Sequence, residues 1–134
     1  MSKMTLSYVG DLRCEATHYS GAKIITDAPI DNHGKGESFS PTDLMCTSLA
    51  TCMITIMGIE AQKLNVPFEG ITADIKKIMV IQPRKIGRVE LRIQMPENLK
   101  SHPHRILIEQ AGLQCPVALS IHPDVVVDVD FIYP

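Results

Sequence analysis

Tryptophan is absent from this chain and other aromatics are scarce, with three Phe and three Tyr among 134 residues. Stacked aromatic platforms for nucleic-acid bases are therefore not expected. There is no basic run and the formal net charge is −2, so the electrostatic footprint of a nucleic-acid binder is missing too. The four cysteines, Cys14, Cys46, Cys52 and Cys115, form no C-x-x-C pair. That excludes zinc-ribbon spacing and the thioredoxin motif. The N-terminal stretch lacks an apolar segment flanked by basic residues and does not read as a signal peptide. The longest strongly apolar run, Met53 to Ile59, is short and punctuated for a membrane span. These absences together predict a cytoplasmic protein with no membrane partner. In that reducing compartment free thiols are the rule, and a disulfide is usually catalytic.

What is present suits one globular domain over residues 1–134. The apolar fraction is 45% and the charged fraction 21%, and a chain of this length buries enough surface to fold without staples. Seven Met accompany the Ile, Val and Leu expected to build the core.

Residues 4–27 read as strands: Thr5 to Val9, Arg13 to His18 and Lys23 to Thr26, with turn signals at Gly10-Asp11 and Ser20-Gly21. Residues 28–39 form a polar loop rich in Gly, Asn and Asp, able to move or to approach a ligand closely. Ser40, Pro41 and Asp43 then mark a helix start, with Asp43 placed to reach back to the cap. From Leu44 to Leu64 the apolar residues cover most of the helical circle, which predicts a central, buried helix ending at Asn65 and Pro67. Two strands follow, Gly70 to Ile81 and Arg88 to Met95, the second alternating strictly at period two. Ser101 to Gly112 reads as a second helix, Cys115 to Ser120 as a short helical turn, and Asp124 to Ile132 as a closing strand. The order of elements predicts an α+β fold.

Cys52 lies mid-helix. A helical cysteine is ordinarily a small core residue, but here Thr47, Ser48, Ala50, Thr51 and Thr55 leave room beside the sulfur. Cys115 opens a Cys-Pro step at a helix start, where the N-terminal field favours a thiolate. Cys46 is about 120° around the helix from Cys52, and Cys14 points away from Arg13 on its strand, so both read as packing. Arg13 is isolated in a sparsely charged region. It reads either as an ordinary surface residue or as a guanidinium that holds a thiolate and a peroxide oxygen. Glu37 and Asp43 are the acids able to orient it, although capping already accounts for Asp43. His102, His104 and His122 lack a supporting carboxylate cluster, so no metal is expected.

Two motifs then combine. Gly36-Glu37-Ser38-Phe39-Ser40-Pro41-Thr42-Asp43-Leu44 is followed eight residues later by Cys52, and Cys115-Pro116-Val117 lies 63 positions beyond Cys52. With Tyr8 to Arg13 as first strand and turn, the chain resembles the OsmC/Ohr family. The resemblance implies antiparallel sheets around a long buried helix in an intertwined homodimer, with active sites at the subunit interface. It also implies a peroxidase that needs no cofactor, reduces organic hydroperoxides more readily than hydrogen peroxide, and is recycled by lipoylated proteins or other dithiols. By motif position Cys52 is the peroxidatic cysteine, Cys115 the resolving cysteine and Arg13 the catalytic arginine; Glu37 joins them as a candidate site residue, with Glu37 or Asp43 the acid that partners Arg13. In the better-studied branches a Glu that pairs with the arginine stands where this chain has Thr42. The other reading is a redox-sensing or small-ligand-binding protein without efficient turnover.

Overall fold

Turn chemistry opens the fold. In the computed structural model, which describes residues 3–134, Gly10, Asp11 and Leu12 all have positive φ and reverse the chain between β1 (Thr5–Gly10) and β2 (Arg13–Thr17). A second turn at His18–Ala22, with Gly21 at positive φ, leads into β3 (Lys23–Asp27). The three strands form an antiparallel sheet in the order β1-β2-β3. Its register places Leu6, Ala16 and Ile24 on one face with Tyr8, Cys14 and Thr26. The opposite face carries Arg13, Glu15, Lys23 and Asp27, so one face is apolar and the other charged.

Contacts divide the chain into two compact units, residues 1–45 and 46–134. The first holds this sheet and the loop of residues 28–39. That loop is not the loose segment its glycines suggest. Its ends are closed by Asp27 N–H donating to Phe39 O (3.1 Å), and Gly36 N–H donates to Ala28 O (3.3 Å). A Cβ on Gly34 would lie 1.7 Å from the Ala28 carbonyl oxygen. Glycine is therefore needed here for close approach to the chain's own backbone.

Helix α1 (Pro41–Lys63) begins with the anticipated reciprocal cap. Ser40 N–H donates to Asp43 Oδ2 (2.9 Å), and Asp43 N–H donates to Ser40 Oγ (3.1 Å), a box worth about 1 kcal/mol. Asn65, at positive φ, and Val66 N–H donating to Ala61 O (2.9 Å) close its far end. At 23 residues and mean hydropathy 1.6, α1 is long and apolar enough to cross a membrane by length and composition. This corrects the expectation drawn from the run Met53 to Ile59, since the helix recruits apolar residues well beyond it. One side of it enters the core.

In the second unit Leu49, Ala50, Met53, Met57 and Ala61 form the fully buried stripe of α1. It joins one core with Val89, Leu91, Ile93 and Met95 from β5 (Lys85–Gln94) and just after it. The period-two alternation of this strand has the anticipated consequence. Its other face carries Arg88 and Arg92, which pair with Asp128 of β6 (Val126–Ile132) at 2.5 and 3.3 Å. The sheet order is β4 (Thr72–Val80), β5, β6, with β4 antiparallel and β6 parallel to β5. The parallel pair departs from an all-antiparallel arrangement. It arises because α2 (Arg105–Leu113) and α3 (Pro116–Ser120) carry the chain back across between β5 and β6. Burial of α1 is also narrower than expected. Met45 and Ile59 remain exposed on faces the chain itself does not cover.

Candidate functional site

The packing of α1 decides where Cys52 goes. It directly precedes the buried Met53 and is half-buried at the edge of the core stripe. Cys115 is fully buried and is the N-cap of α3, its Sγ accepting from Ala118 N–H at 3.4 Å. The Cys52 thiol lies close enough to act on the Cys115 thiol, so the fold unites sulfurs that are distant in sequence. Burial pushes the Cys115 thiol up, the Ala118 N–H opposes it, and the contact with Cys52 adds to the rise. The expectation that the helix start would favour a Cys115 thiolate is thus corrected: desolvation outweighs one backbone donor. Cys115 is therefore held toward its protonated form. Cys46 is buried in the core, and Cys14 shares the apolar sheet face with Tyr8 and Thr26.

An open pocket of about 460 Å³ is lined by Met53, Leu113, Ala118, Val127, Asp128 and Val129, and by neither cysteine of the pair. It shares Ala118 with the Cys115 cap and Met53 with the turn that carries Cys52. Its lining mixes apolar side chains with the Asp128 carboxylate.

In the first unit Arg13 stands at the start of β2. Its Nη2 donates to Glu37 Oε2 at 2.8 Å and to Asp27 Oδ2 at 3.3 Å. Glu37 is therefore the loop acid that reaches Arg13, while Asp43 is engaged in the helix cap. Asp27 was not singled out in the sequence. It is fully buried and directly opposite Arg13 in the β2–β3 register. A signal was present: a hairpin turning at Ser20-Gly21 sets Arg13 and Asp27, seven residues to either side of Ser20, across from each other. Asp27 Oδ2 also accepts from Glu37 N–H at 2.9 Å. That hydrogen bond holds the Asp27 carboxyl below its usual range against burial, with the Arg13 charge acting in the same direction. The Arg13 guanidinium is raised, foremost by its hydrogen bond to Glu37.

The histidines have local work. His102 Nδ1 accepts from His104 N–H and His122 Nδ1 from Asp124 N–H, each at 3.0 Å, so both shape turns.

Comparison with known proteins places this geometry in a family. No curated protein matches the sequence. Among solved structures, a Psychrobacter arcticus protein named for osmotic stress induction and detoxification response is 44% identical, with TM-score 0.91, over 98% of this chain and 96% of that one. OhrB, the organic hydroperoxide resistance protein of Bacillus subtilis, superposes at TM-score 0.67 with 18% identity, over 98% of each chain. An organic hydroperoxide resistance protein, OsmC, from Legionella pneumophila gives 0.69 with 16% identity, over 98% and 96%. Those two share the fold. The family described as OsmC-like protein matches residues 34–130, from the loop before α1 into β6, and with the 44% identical structure it establishes that this chain belongs to the OsmC-like family.

Proposed function

We propose that this protein is a cytoplasmic thiol peroxidase that reduces organic hydroperoxides and works as a homodimer. The observation that carries the reading is the Cys52–Cys115 pair: a half-buried thiol beside a fully buried one that resists ionisation. Two such sulfurs have separable duties. The Cys52 thiolate attacks the distal oxygen of ROOH. The O–O bond breaks, ROH leaves after taking up a proton, and Cys52 becomes a sulfenic acid. Cys115 then condenses with it, forming the S–S bond and releasing water. A dithiol, such as a lipoylated protein, restores both thiols by exchange and is itself oxidised to its disulfide.

Ionisation supplies little of the rate. A thiol of ordinary pKa, about 8.5, is several per cent thiolate near neutrality, so full ionisation gains roughly tenfold. The remainder must come from stabilising charge on the leaving oxygen. Arg13, with Glu37 as its partner, is the group we assign to that role. The family's link to hydroperoxide resistance in the B. subtilis and L. pneumophila proteins supports the same chemistry.

The test is consumption of cumene hydroperoxide with dihydrolipoamide as donor. Wild type should turn over many times, and Cys52→Ser should not turn over while keeping its fold. Oxidised wild type should show a Cys52–Cys115 disulfide by mass spectrometry. One oxidation event without turnover would replace the peroxidase with a redox sensor, and a bridge to Cys14 or Cys46 would show the wrong pair.

A further inference from the structure

Asp27 is the one fully buried charged residue among the described residues, and the proposed cycle does not use it. A single oxygen of its carboxylate, Oδ2, accepts both Arg13 Nη2 and Glu37 N–H, at 3.3 and 2.9 Å. Its own N–H donates to Phe39 O, and the next residue's N–H donates to Leu12 O, just before Arg13. β2, β3 and the loop of residues 28–39 therefore meet at this one side chain.

We propose that Asp27 is the positioning residue for Arg13, and that Glu37 is secondary to it. The inference rests on Arg13 being the arginine of the peroxidase proposed above. Glu37 makes the shorter contact with Arg13, but its side chain is 60% exposed. An exposed ion pair is screened and exchanges readily with water. Asp27 has no such freedom, because its side chain is 0% exposed and its backbone belongs to the strand paired with Arg13. It also fixes the backbone of Glu37 itself. Loss of Glu37 leaves the Arg13–Asp27 pair in place, whereas loss of the Asp27 charge loosens both contacts. The helix start cannot substitute, since Thr42 there carries no negative charge and its hydroxyl lies 3.1 Å from Ser40 Oγ. Both carboxylates draw on the same guanidinium nitrogen, Nη2, so the clamp leaves Nη1 outside it for a substrate oxygen. Arg13 Nε and Asp27 Oδ1 are buried without hydrogen-bond partners among the described residues.

The experiment compares Asp27→Asn, Glu37→Gln and Arg13→Ala. The amide keeps the volume of Asp27 and one acceptor oxygen for Glu37 N–H while removing the charge; Asp27→Ser is the second variant should the amide fail to fold. The first readout is the second-order rate constant for Cys52 oxidation by cumene hydroperoxide across pH. Asp27→Asn should lower it by about tenfold or more at every pH, as expected for a misoriented group. Glu37→Gln should cost less than about fivefold, the ceiling for an exposed pair. Adding Asp27→Asn to Arg13→Ala should cost nothing further, because Asp27 acts through Arg13. A full extra loss in that background, or a larger effect from Glu37→Gln, overturns the assignment. The second readout is labelling of Arg13 by phenylglyoxal, followed by mass spectrometry. Asp27→Asn should label faster than wild type, and an equal rate overturns the clamp. This readout needs no peroxidase activity. A wild type that consumes no peroxide would therefore defeat the functional reading while the labelling still decided the role of Asp27.

Discussion

Arg13 is where electrostatics and catalysis are separable by measurement. If it only favours the Cys52 thiolate, Arg13→Ala loses rate that returns fully once pH exceeds the thiol pKa. We expect a loss that persists there, well beyond the roughly tenfold that ionisation alone can supply. Arg13→Lys should recover part of it, since an ammonium restores charge but not a planar set of donors held by two carboxylates. The check is the rate constant against pH for the three proteins, and complete recovery at high pH would reduce Arg13 to a group that sets a pKa. The motif made Arg13 legible in the sequence and left Glu37 and Asp43 as alternative acids. Asp27 was missed because a charged strand residue ordinarily faces solvent, and only the hairpin register buries this one opposite a cation.

Among the elements, α1 and α2 are coupled by a glycine. A Cβ added at Gly112 would meet Met57 Cγ at 2.7 Å and Met53 Cγ at 3.1 Å. These atoms belong to the buried stripe that also positions Cys52, and they cannot swing away without moving the core. Gly112→Ala gains about 1 kcal/mol of helix propensity, but overpacking costs about 1–3 kcal/mol. The expected net result is destabilisation by about 1 kcal/mol, read as a lower urea midpoint at unchanged m-value. A rise in the midpoint would mean the methionines repack freely. Helix existence, the cap at Ser40 and Asp43, and the stop at Asn65 were all readable from local sequence. The parallel pairing of β6 was not, because it depends on how α2 and α3 return the chain across the sheet.

For the whole molecule, two exposed apolar surfaces bear on the proposed homodimer. Leu6, Tyr8 and Ile24 share one face of the β1–β3 sheet and are 67%, 65% and 51% exposed. Met45 and Ile59 lie exposed on α1, the helix whose sequence is apolar nearly all round. Apolar surface on this scale ordinarily marks an interface. We therefore expect sedimentation at micromolar concentration to give one species of about twice the 14.8 kDa chain mass. A folded, active monomer would contradict the homodimer.

The sequence by itself determined the α+β class, the long helix and its cap, the alternating strand, and the cysteine motifs that mark the family. Each of these depends on neighbours within a few residues or on a motif carried in order along the chain. Tertiary structure decided the rest. It set which side of an all-round apolar helix is buried, a choice that near-uniform apolarity leaves open until β5 and α2 pack against it. It decided that burial outweighs the helix start at Cys115, since desolvation depends on everything packed around the sulfur. It also decided which acid holds Arg13 from within the protein: Asp27 becomes a buried partner only when β2 and β3 pair and the 28–39 loop closes over them.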